Sequence, residues 1–132
     1  MGGKDPLRII ESPQAPQAIG PYSQAVAADN LLFVSGQLPL DPQTGDFVQG
    51  DIGKQTHQCL ENIRSIAQAA GSDLDRAVKL NVYLKDIADF NAVNEAYARH
   101  FPQNPPARLA IQVAALPRDA EIEIEAIISL SY

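Results

Sequence analysis

The stretch NPPARLAIQVAALPRDAEIEIEA, residues 104–126, carries the pattern that most strongly decides the fold. Arg108 follows a Pro-Pro pair and precedes an apolar run, and further along glutamates alternate with apolar residues. Alternation with a period of two is typical of a strand that buries one face. The sequence therefore predicts strands over residues 108–114 and 121–130, joined by the short loop LPRD.

Two further strands and an ordered loop are predicted upstream. Residues 31–40, LLFVSGQLPL, favour a strand, and Gly36 in their middle indicates a bulge or a close backbone approach. Residues 11–24 are expected to form an ordered loop, because Ile19 and Tyr22 give it apolar groups to bury. Residues 77–85 predict a half-buried strand, one face of which carries Val78, Leu80, Val82 and Leu84.

Two helices are predicted between these strands. Apolar residues recur at three- and four-residue steps over residues 51–70, where Asp51 can cap the start and Gly71 can end the helix. A second helix follows Asp86, and Pro102 should stop it.

The predicted order is strand, strand, helix, strand, helix, strand, strand, in one domain over residues 1–132. It indicates an α+β fold, a mixed sheet with both helices on one face. The uncovered face is predicted to carry Lys79, Asn81, Tyr83 and Lys85 from one strand and Arg108, Ala110, Gln112 and Ala114 from another. Such a semi-polar face fits a subunit interface or a cleft, with a solvated face as the alternative.

Composition excludes several classes of protein. The net charge is −6, with 10 Lys plus Arg against 16 Asp plus Glu and no basic run, which disfavours nucleic-acid binding. No apolar run is long enough for a membrane span or a secretory signal, so the cytoplasm is the expected location. The single cysteine, Cys59, cannot form an internal disulfide, in agreement with a reducing compartment.

Few residues suggest chemistry by themselves. His57 and His100 are distant in sequence and lie on predicted helices, so solvated histidines are favoured over a two-histidine metal site. Cys59 lies on the apolar stripe of the first helix and is expected in the core rather than as a nucleophile. No metal site is predicted.

Arg108 is a cation at the start of an otherwise apolar predicted strand. Strand alternation puts it opposite to Leu109 and Ile111, so it is predicted to point away from the helix-covered core. A guanidinium is a planar fork that matches a carboxylate. The partner is either a bound anion or a glutamate of the neighbouring strand, and the residues alone favour the internal ion pair.

Five segments, AIGPYSQAV, FVSGQLPLDPQTG, VKLNVYLKDIADFNAVNEAY, PPARLAIQVAALP and IEIEAI, resemble the reactive-intermediate deaminase (RidA/YjgF) family. They occur in the same order and extend from about residue 18 to residue 128. The resemblance implies a chorismate-mutase-like fold that assembles as a homotrimer with clefts between subunits. It also implies hydrolysis of 2-imino acids, formed from enamines such as 2-aminoacrylate or 2-aminocrotonate, to 2-oxo acids and ammonia. No cofactor is implied.

The same resemblance implies roles for individual positions. Arg108 would bind the substrate carboxylate, and Glu123 would move protons on a water and on the leaving amine. Position 110, often cysteine in the family, is alanine here, so it can contribute its backbone N–H but no thiol. Substrate contacts are implied for Tyr22, Gly36, Asn94 and Ala110.

Two other functions remain alternatives. Some relatives are described as RNA-directed translation inhibitors with ribonuclease activity, which the acidic balance disfavours here. A small-carboxylate-binding or chaperone-like regulatory protein could use the same cleft without turnover, since one fold hosts several functions. The retention of both Arg108 and Glu123 favours catalysis.

Overall fold

The computed structural model describes residues 7–131, which form one six-stranded mixed sheet and two α-helices. In chain order the elements are β1 (Arg8–Ile10), β2 (Ala25–Ala28), β3 (Leu31–Gln37), α1 (Ile52–Ala69), β4 (Ala77–Leu84), α2 (Phe90–Ala98), β5 (Ala107–Gln112) and β6 (Ile122–Ser129). The strand order is β1-β2-β3-β6-β4-β5, with β4 and β5 parallel and the other pairs antiparallel. The predicted α+β architecture is confirmed. Three strands rather than two precede α1, because β1 and β2 are too short to produce a clear periodic pattern.

The core lies between one face of the sheet and the two helices. Every second residue of β6 is buried, and α1 covers them with the stripe predicted from its sequence spacing. Burial of such large aliphatic side chains stabilises the fold by roughly 1.5–3 kcal/mol each. Cys59 is fully buried in this core, as predicted. The fully buried residues of the core include Leu60, Ile63, Ile66, Leu80, Val82, Leu84, Ile122, Ile124 and Ile128.

The helix ends follow the expected local chemistry. The Asp51 side chain accepts a hydrogen bond from the Lys54 backbone N–H at 2.9 Å, which satisfies one free donor at the start of α1. After the helix, Gly71 has a φ of +83°, the left-handed conformation that glycine adopts without strain. The α2 helix ends at Ala98, four residues before Pro102.

The predicted orientation of β5 is wrong. In the parallel pairing of β4 with β5, Leu80 is the partner of Arg108 and Val82 is the partner of Ala110. Since Leu80 and Val82 are buried beneath the helices, Arg108, Ala110 and Gln112 also lie on the helix side. The apolar residues of β5 are the ones on the open face, where Leu109 is 41% and Ile111 38% exposed.

The predicted face of β4 is correct except at its start. Leu80, Val82 and Leu84 are buried, whereas Val78 is 47% exposed. The pairing of β4 with β6 shifts register between Ala77 and Lys79, and this irregularity turns Val78 out of the alternation.

The face opposite the helices combines apolar and polar side chains. Phe33, Leu109 and Ile111 are exposed there, beside Asn81 and Tyr83. Within residues 7–131 no helix has both the length and the apolar character to cross a bilayer.

Candidate functional site

A bulge in β3 brings the backbone of Gly36 against the side chain of Glu123. The pairing of β3 with β6 shifts register between Val34 and Gln37, at the predicted position. A Cβ added to Gly36 would lie 2.6 Å from Glu123 Oε2, closer than real Cβ atoms approach an oxygen. Position 36 must therefore be glycine if the carboxylate is to stay where it is.

Glu123 and Glu125 face the same side of the sheet but have different surroundings. Glu125 Oε1 accepts hydrogen bonds from Tyr83 Oη at 2.6 Å and from Asn81 Nδ2 at 3.0 Å. The bond to this carboxylate raises the pKa of Tyr83 to about 12. Glu123 is half-buried, and no residue between 7 and 131 donates a hydrogen bond to its carboxylate. Burial, and secondarily the charge of Glu125, raises the pKa of Glu123.

A cleft of about 720 Å³ opens beside Glu123. Tyr22 and Ser35 are among the polar groups that line it, and Ile19 and Leu38 contribute apolar walls. Tyr22 Oη accepts a hydrogen bond from the Ile19 backbone N–H at 3.3 Å, which positions the ring at the rim. The cleft thus places a carboxylate with a raised pKa and a tyrosine in a partly apolar enclosure.

The loop that forms one wall of the cleft is held by a buried glutamine. Gln24 Oε1 accepts from the Ser12 backbone N–H at 2.6 Å, and its Nε2 donates to the Pro16 carbonyl at 2.7 Å. Residues 11–24 form an ordered loop, as predicted, but the predicted reason is wrong, because Ile19 is 81% and Tyr22 53% exposed. The buried Gln24, which was not singled out from the sequence, holds the loop instead.

Arg108 is held by α2. Its Nη1 donates to Asn94 Oδ1 at 2.6 Å, and its guanidinium carbon lies 4.9 Å from the Tyr97 ring centre and 5.4 Å from that of Phe90. In the part of the chain from residue 7 to 131, Arg108 forms no ion pair. The internal ion pair with a β6 glutamate is therefore wrong, because β4 lies between β5 and β6. The remaining guanidinium N–H groups are available to an anion.

The site residues implied by the resemblance fall into two groups on opposite faces of the sheet. The glutamate group, on the open face, consists of Tyr22, Gly36 and Glu123. The arginine group, on the helix side of the β5 edge, consists of Arg108, Asn94 and Ala110. Two strand spacings, about 10 Å, separate β5 from β6, and the sheet lies between the side chains. One small substrate therefore cannot contact both groups of the same copy.

Arg118 is a cleft residue that the sequence reasoning missed. It lines the cleft beside Glu123, its Nη1 donates to the Gly45 carbonyl at 3.0 Å, and it lies 5.0 Å over the Phe47 ring. Its φ of +57° is a left-handed conformation that is uncommon for an arginine. The available signal was a cation in the short loop immediately before the strand that carries Glu123.

The two histidines, which are distant in sequence, lie side by side in the structure. His57 Nδ1 and His100 Nε2 lie 3.0 Å apart, and the His100 side chain is only 8% exposed. The expectation of a solvated histidine is confirmed for His57, which is exposed, and is wrong for His100, because α1 and α2 pack side by side.

Comparison with known proteins places this chain in a family. A family model described as Endoribonuclease L-PSP matches residues 12–130. The chain is 54% identical over 119 residues to a RutC family protein of Pyrococcus horikoshii, covering 90% of this chain and 94% of that relative. It is 50% identical over 120 residues to a Homo sapiens protein named 2-iminobutanoate/2-iminopropanoate deaminase, covering 91% and 88% of the two. A crystal structure described as E. coli TdcF with bound serine has a TM-score of 0.89 at 42% identity, over 94% of this chain and 99% of that one. These matches show that the chain belongs to the reactive-intermediate deaminase (RidA/YjgF) family.

Proposed function

We propose that the protein is a deaminase that hydrolyses 2-imino acids to 2-oxo acids and ammonia. The observation that carries the proposal is the half-buried Glu123 carboxylate in a partly apolar cleft. Its pKa is raised, and its oxygens accept no hydrogen bond from residues 7–131. A general acid–base group works best when its pKa lies near the working pH, and burial moves a carboxyl in that direction. The human relative at 50% identity is named for this reaction.

The complete site requires a second copy of the chain. Because the sheet separates the two groups within one copy, the arginine group of one copy must meet the glutamate group of the next. The exposed Phe33, Leu109 and Ile111 on the open face supply an apolar surface for that contact. A contact between two different surfaces closes into a ring when the rotation allows it, and the ring expected for this family is a trimer.

The chemistry follows from the two groups. Arg108, oriented by Asn94, binds the substrate carboxylate with two parallel hydrogen bonds and thereby fixes the imine carbon beside Glu123 of the neighbouring copy. Glu123 takes a proton from water as the oxygen bonds to that carbon and delivers this proton to the imine nitrogen, which gives a carbinolamine and restores the carboxylate. Glu123 then takes the proton of the new hydroxyl and delivers it to the nitrogen as the C=O bond forms and the C–N bond breaks, which releases ammonia and the 2-oxo acid. These steps balance without a cofactor.

Binding without turnover is the second candidate, and one observation favours it. The related TdcF structure is described as holding serine, an amino acid with a carboxylate of the kind that Arg108 would bind. The same arginine group would serve either function, so the two candidates differ only in whether Glu123 acts on the ligand.

The test measures the release of 2-oxobutanoate from threonine. A threonine dehydratase in large excess generates the enamine and imine, so that imine hydrolysis limits the reaction. The purified protein should accelerate 2-oxobutanoate release above the spontaneous rate, and the Glu123→Gln variant should not. An unchanged rate, combined with calorimetric binding of 2-oxobutanoate, would identify a binding protein instead.

A further inference from the structure

The packing of α1 against α2 brings together both histidines of the sequence and one glutamate. His57 and Glu61 lie one turn apart on α1, and His100 follows the end of α2. His57 Nδ1 is 3.0 Å from His100 Nε2, and Glu61 Oε2 is 3.5 Å from the same nitrogen. One ligand atom from each of the three residues lies within 4.8 Å of the others. This cluster belongs to neither group of the proposed deaminase site.

The backbone determines which nitrogen of His100 carries the lone pair. His100 Nδ1 lies 3.1 Å from the Ala96 carbonyl oxygen, which can only accept a hydrogen bond, so Nδ1 is the donor. In the neutral ring, Nε2 is then unprotonated, and its lone pair points towards His57 and Glu61. Histidines that ligate metals are oriented in this way, with the other ring N–H held by a carbonyl or carboxylate.

A chain of ion pairs orients the glutamate. Arg64 Nε donates to Glu61 Oε2 at 3.2 Å, and Arg64 Nη1 donates to Asp73 Oδ1 at 2.7 Å. The Glu61 oxygen and the His100 lone pair therefore face each other at 3.5 Å. The lone pair can accept a hydrogen bond from His57 Nδ1 or bind a cation, and the negative charge of Glu61 beside it favours a cation.

We propose that His57, Glu61 and His100 bind one divalent transition-metal cation of the zinc class. Ligands bonded to zinc at about 2.0–2.1 Å in a tetrahedron lie about 3.3 Å from one another. The two distances at His100 Nε2, 3.0 Å and 3.5 Å, bracket this value. The ligand atoms of His57 and Glu61 lie within 4.8 Å of each other, so rotation of these two side chains must bring them closer to complete the three-ligand set. His57 Nδ1 must pass its proton to the exposed Nε2 of the same ring.

The ligand set and its surroundings define the class of cation. Two imidazoles and one carboxylate suit zinc, whereas magnesium and calcium prefer oxygen ligands throughout. The fourth coordination position opens into a groove of about 780 Å³ between the helices, lined in part by His57 and His100. The bound cation would cross-link α1 to the segment after α2, close to the helix that holds Arg108.

Zinc titration of tag-free, chelator-treated protein tests the proposal. Calorimetry should find one zinc per chain with micromolar or tighter affinity, and cobalt in its place should give the strong visible bands of a tetrahedral site. The His57→Ala variant should lose about 100-fold or more in affinity, since even outer partners of a metal site contribute 10–100-fold. Its melting temperature without metal should equal that of wild type, because His57 is exposed.

The matched control is a second glutamate of the same groove. Glu95 lines the groove and pairs with Arg99 at 3.8 Å, and it is not a member of the three-residue cluster, so Glu95→Gln should bind zinc like wild type while Glu61→Gln should not. Zinc should raise the melting temperature of wild type and Glu95→Gln, and magnesium should raise neither. Absence of zinc binding, or equal zinc affinity in His57→Ala and Glu95→Gln, would overturn the proposal.

Discussion

The Gly36 backbone and the Glu123 carboxylate are packed so closely that a Cβ at position 36 would lie 2.9 Å from the carboxyl carbon. The bulge of β3 therefore fixes the position of the one cleft carboxylate in residues 7–131 for which no hydrogen-bond donor is found. The proposed acid–base group is positioned by main-chain shape rather than by a polar partner, which leaves its oxygens free for water.

Gly36→Ala should disable turnover without unfolding the protein. The added methyl group pushes the Glu123 carboxylate away, and misplacement of a reacting group by about 1 Å can lower the rate about 10²-fold. Steady-state kinetics should therefore show a lower kcat. The control is Gly53→Ala on α1, where an added Cβ meets nothing closer than 3.3 Å and the rate should not change. Equal kcat in both variants would contradict the close-approach argument.

Glu123→Gln should separate binding from chemistry. The amide keeps the shape but cannot accept a proton as a carboxylate does, so kcat should fall by about 10²–10⁴. Calorimetry should find 2-oxobutanoate affinity close to that of wild type, because the loss arises in the chemical step. Glu121→Gln, at an exposed position just before β6, is the control. Full turnover by a normally melting Glu123→Gln protein would remove this residue from the mechanism.

Arg108→Lys should be nearly as harmful as Arg108→Ala. Lysine keeps the charge but loses the two-pronged geometry and the alignment given by Asn94. Product affinity in Arg108→Ala should fall by about 2–5 kcal/mol, the usual effect of removing one partner of a desolvated charge pair. The exposed Arg99, whose partner Glu95 lies 3.8 Å away, provides a control in Arg99→Ala. Wild-type affinity in Arg108→Lys would show that the arginine is structural.

The raised pKa of Glu123 predicts how stability depends on pH. Folding disfavours the ionised form of the Glu123 carboxyl. The stability that the protonated carboxyl contributes to the folded state is therefore fully present below the unfolded pKa of about 4.3, and it is lost as pH rises through the folded pKa. Glutamine does not titrate. Denaturation of the substrate-free protein should therefore show Glu123→Gln gaining stability relative to wild type between acidic and neutral pH. A stability difference that is constant with pH would show that folding does not shift this pKa.

Phe33→Asp should break the proposed assembly. Phe33 is 44% exposed on the open face, and a charge there would have to be desolvated in any interface. Light scattering should find a trimer for wild type and a folded, inactive monomer for the variant. Ile87→Asp is the control, because Ile87 is 47% exposed but precedes α2 rather than lying on the open face. A wild-type monomer at micromolar concentration would remove the composite site.

The sequence predicts the elements whose periodicity is long and one-sided. The α1 helix, β6 and most of β4 each have a continuous buried stripe, and the Asp51 cap is local chemistry. The face of β5 could not be predicted in the same way. As an edge strand it has exposed apolar residues on one side and Arg108 packed against α2 on the other, so alternation does not reveal which side the helices cover.

Contacts between segments that are distant in sequence could not be predicted either. The hydrogen bond of Arg108 to Asn94 and the pairing of His57 with His100 depend on how helices pack, which residue spacing does not encode. A close backbone approach at Gly36 could be predicted, because an isolated glycine in a strand indicates one. That the approaching group is the Glu123 side chain could not be predicted from this glycine.

The sheet that separates the arginine group from the glutamate group has a genetic consequence. In a ring where each site takes Arg108 from one copy and Glu123 from the next, a copy without the arginine and a copy without the glutamate are each inactive alone. When both kinds of copy assemble in one trimer, one of the three contacts between copies combines an intact Arg108 with an intact Glu123. Two null alleles of this gene, expressed together, would therefore complement each other.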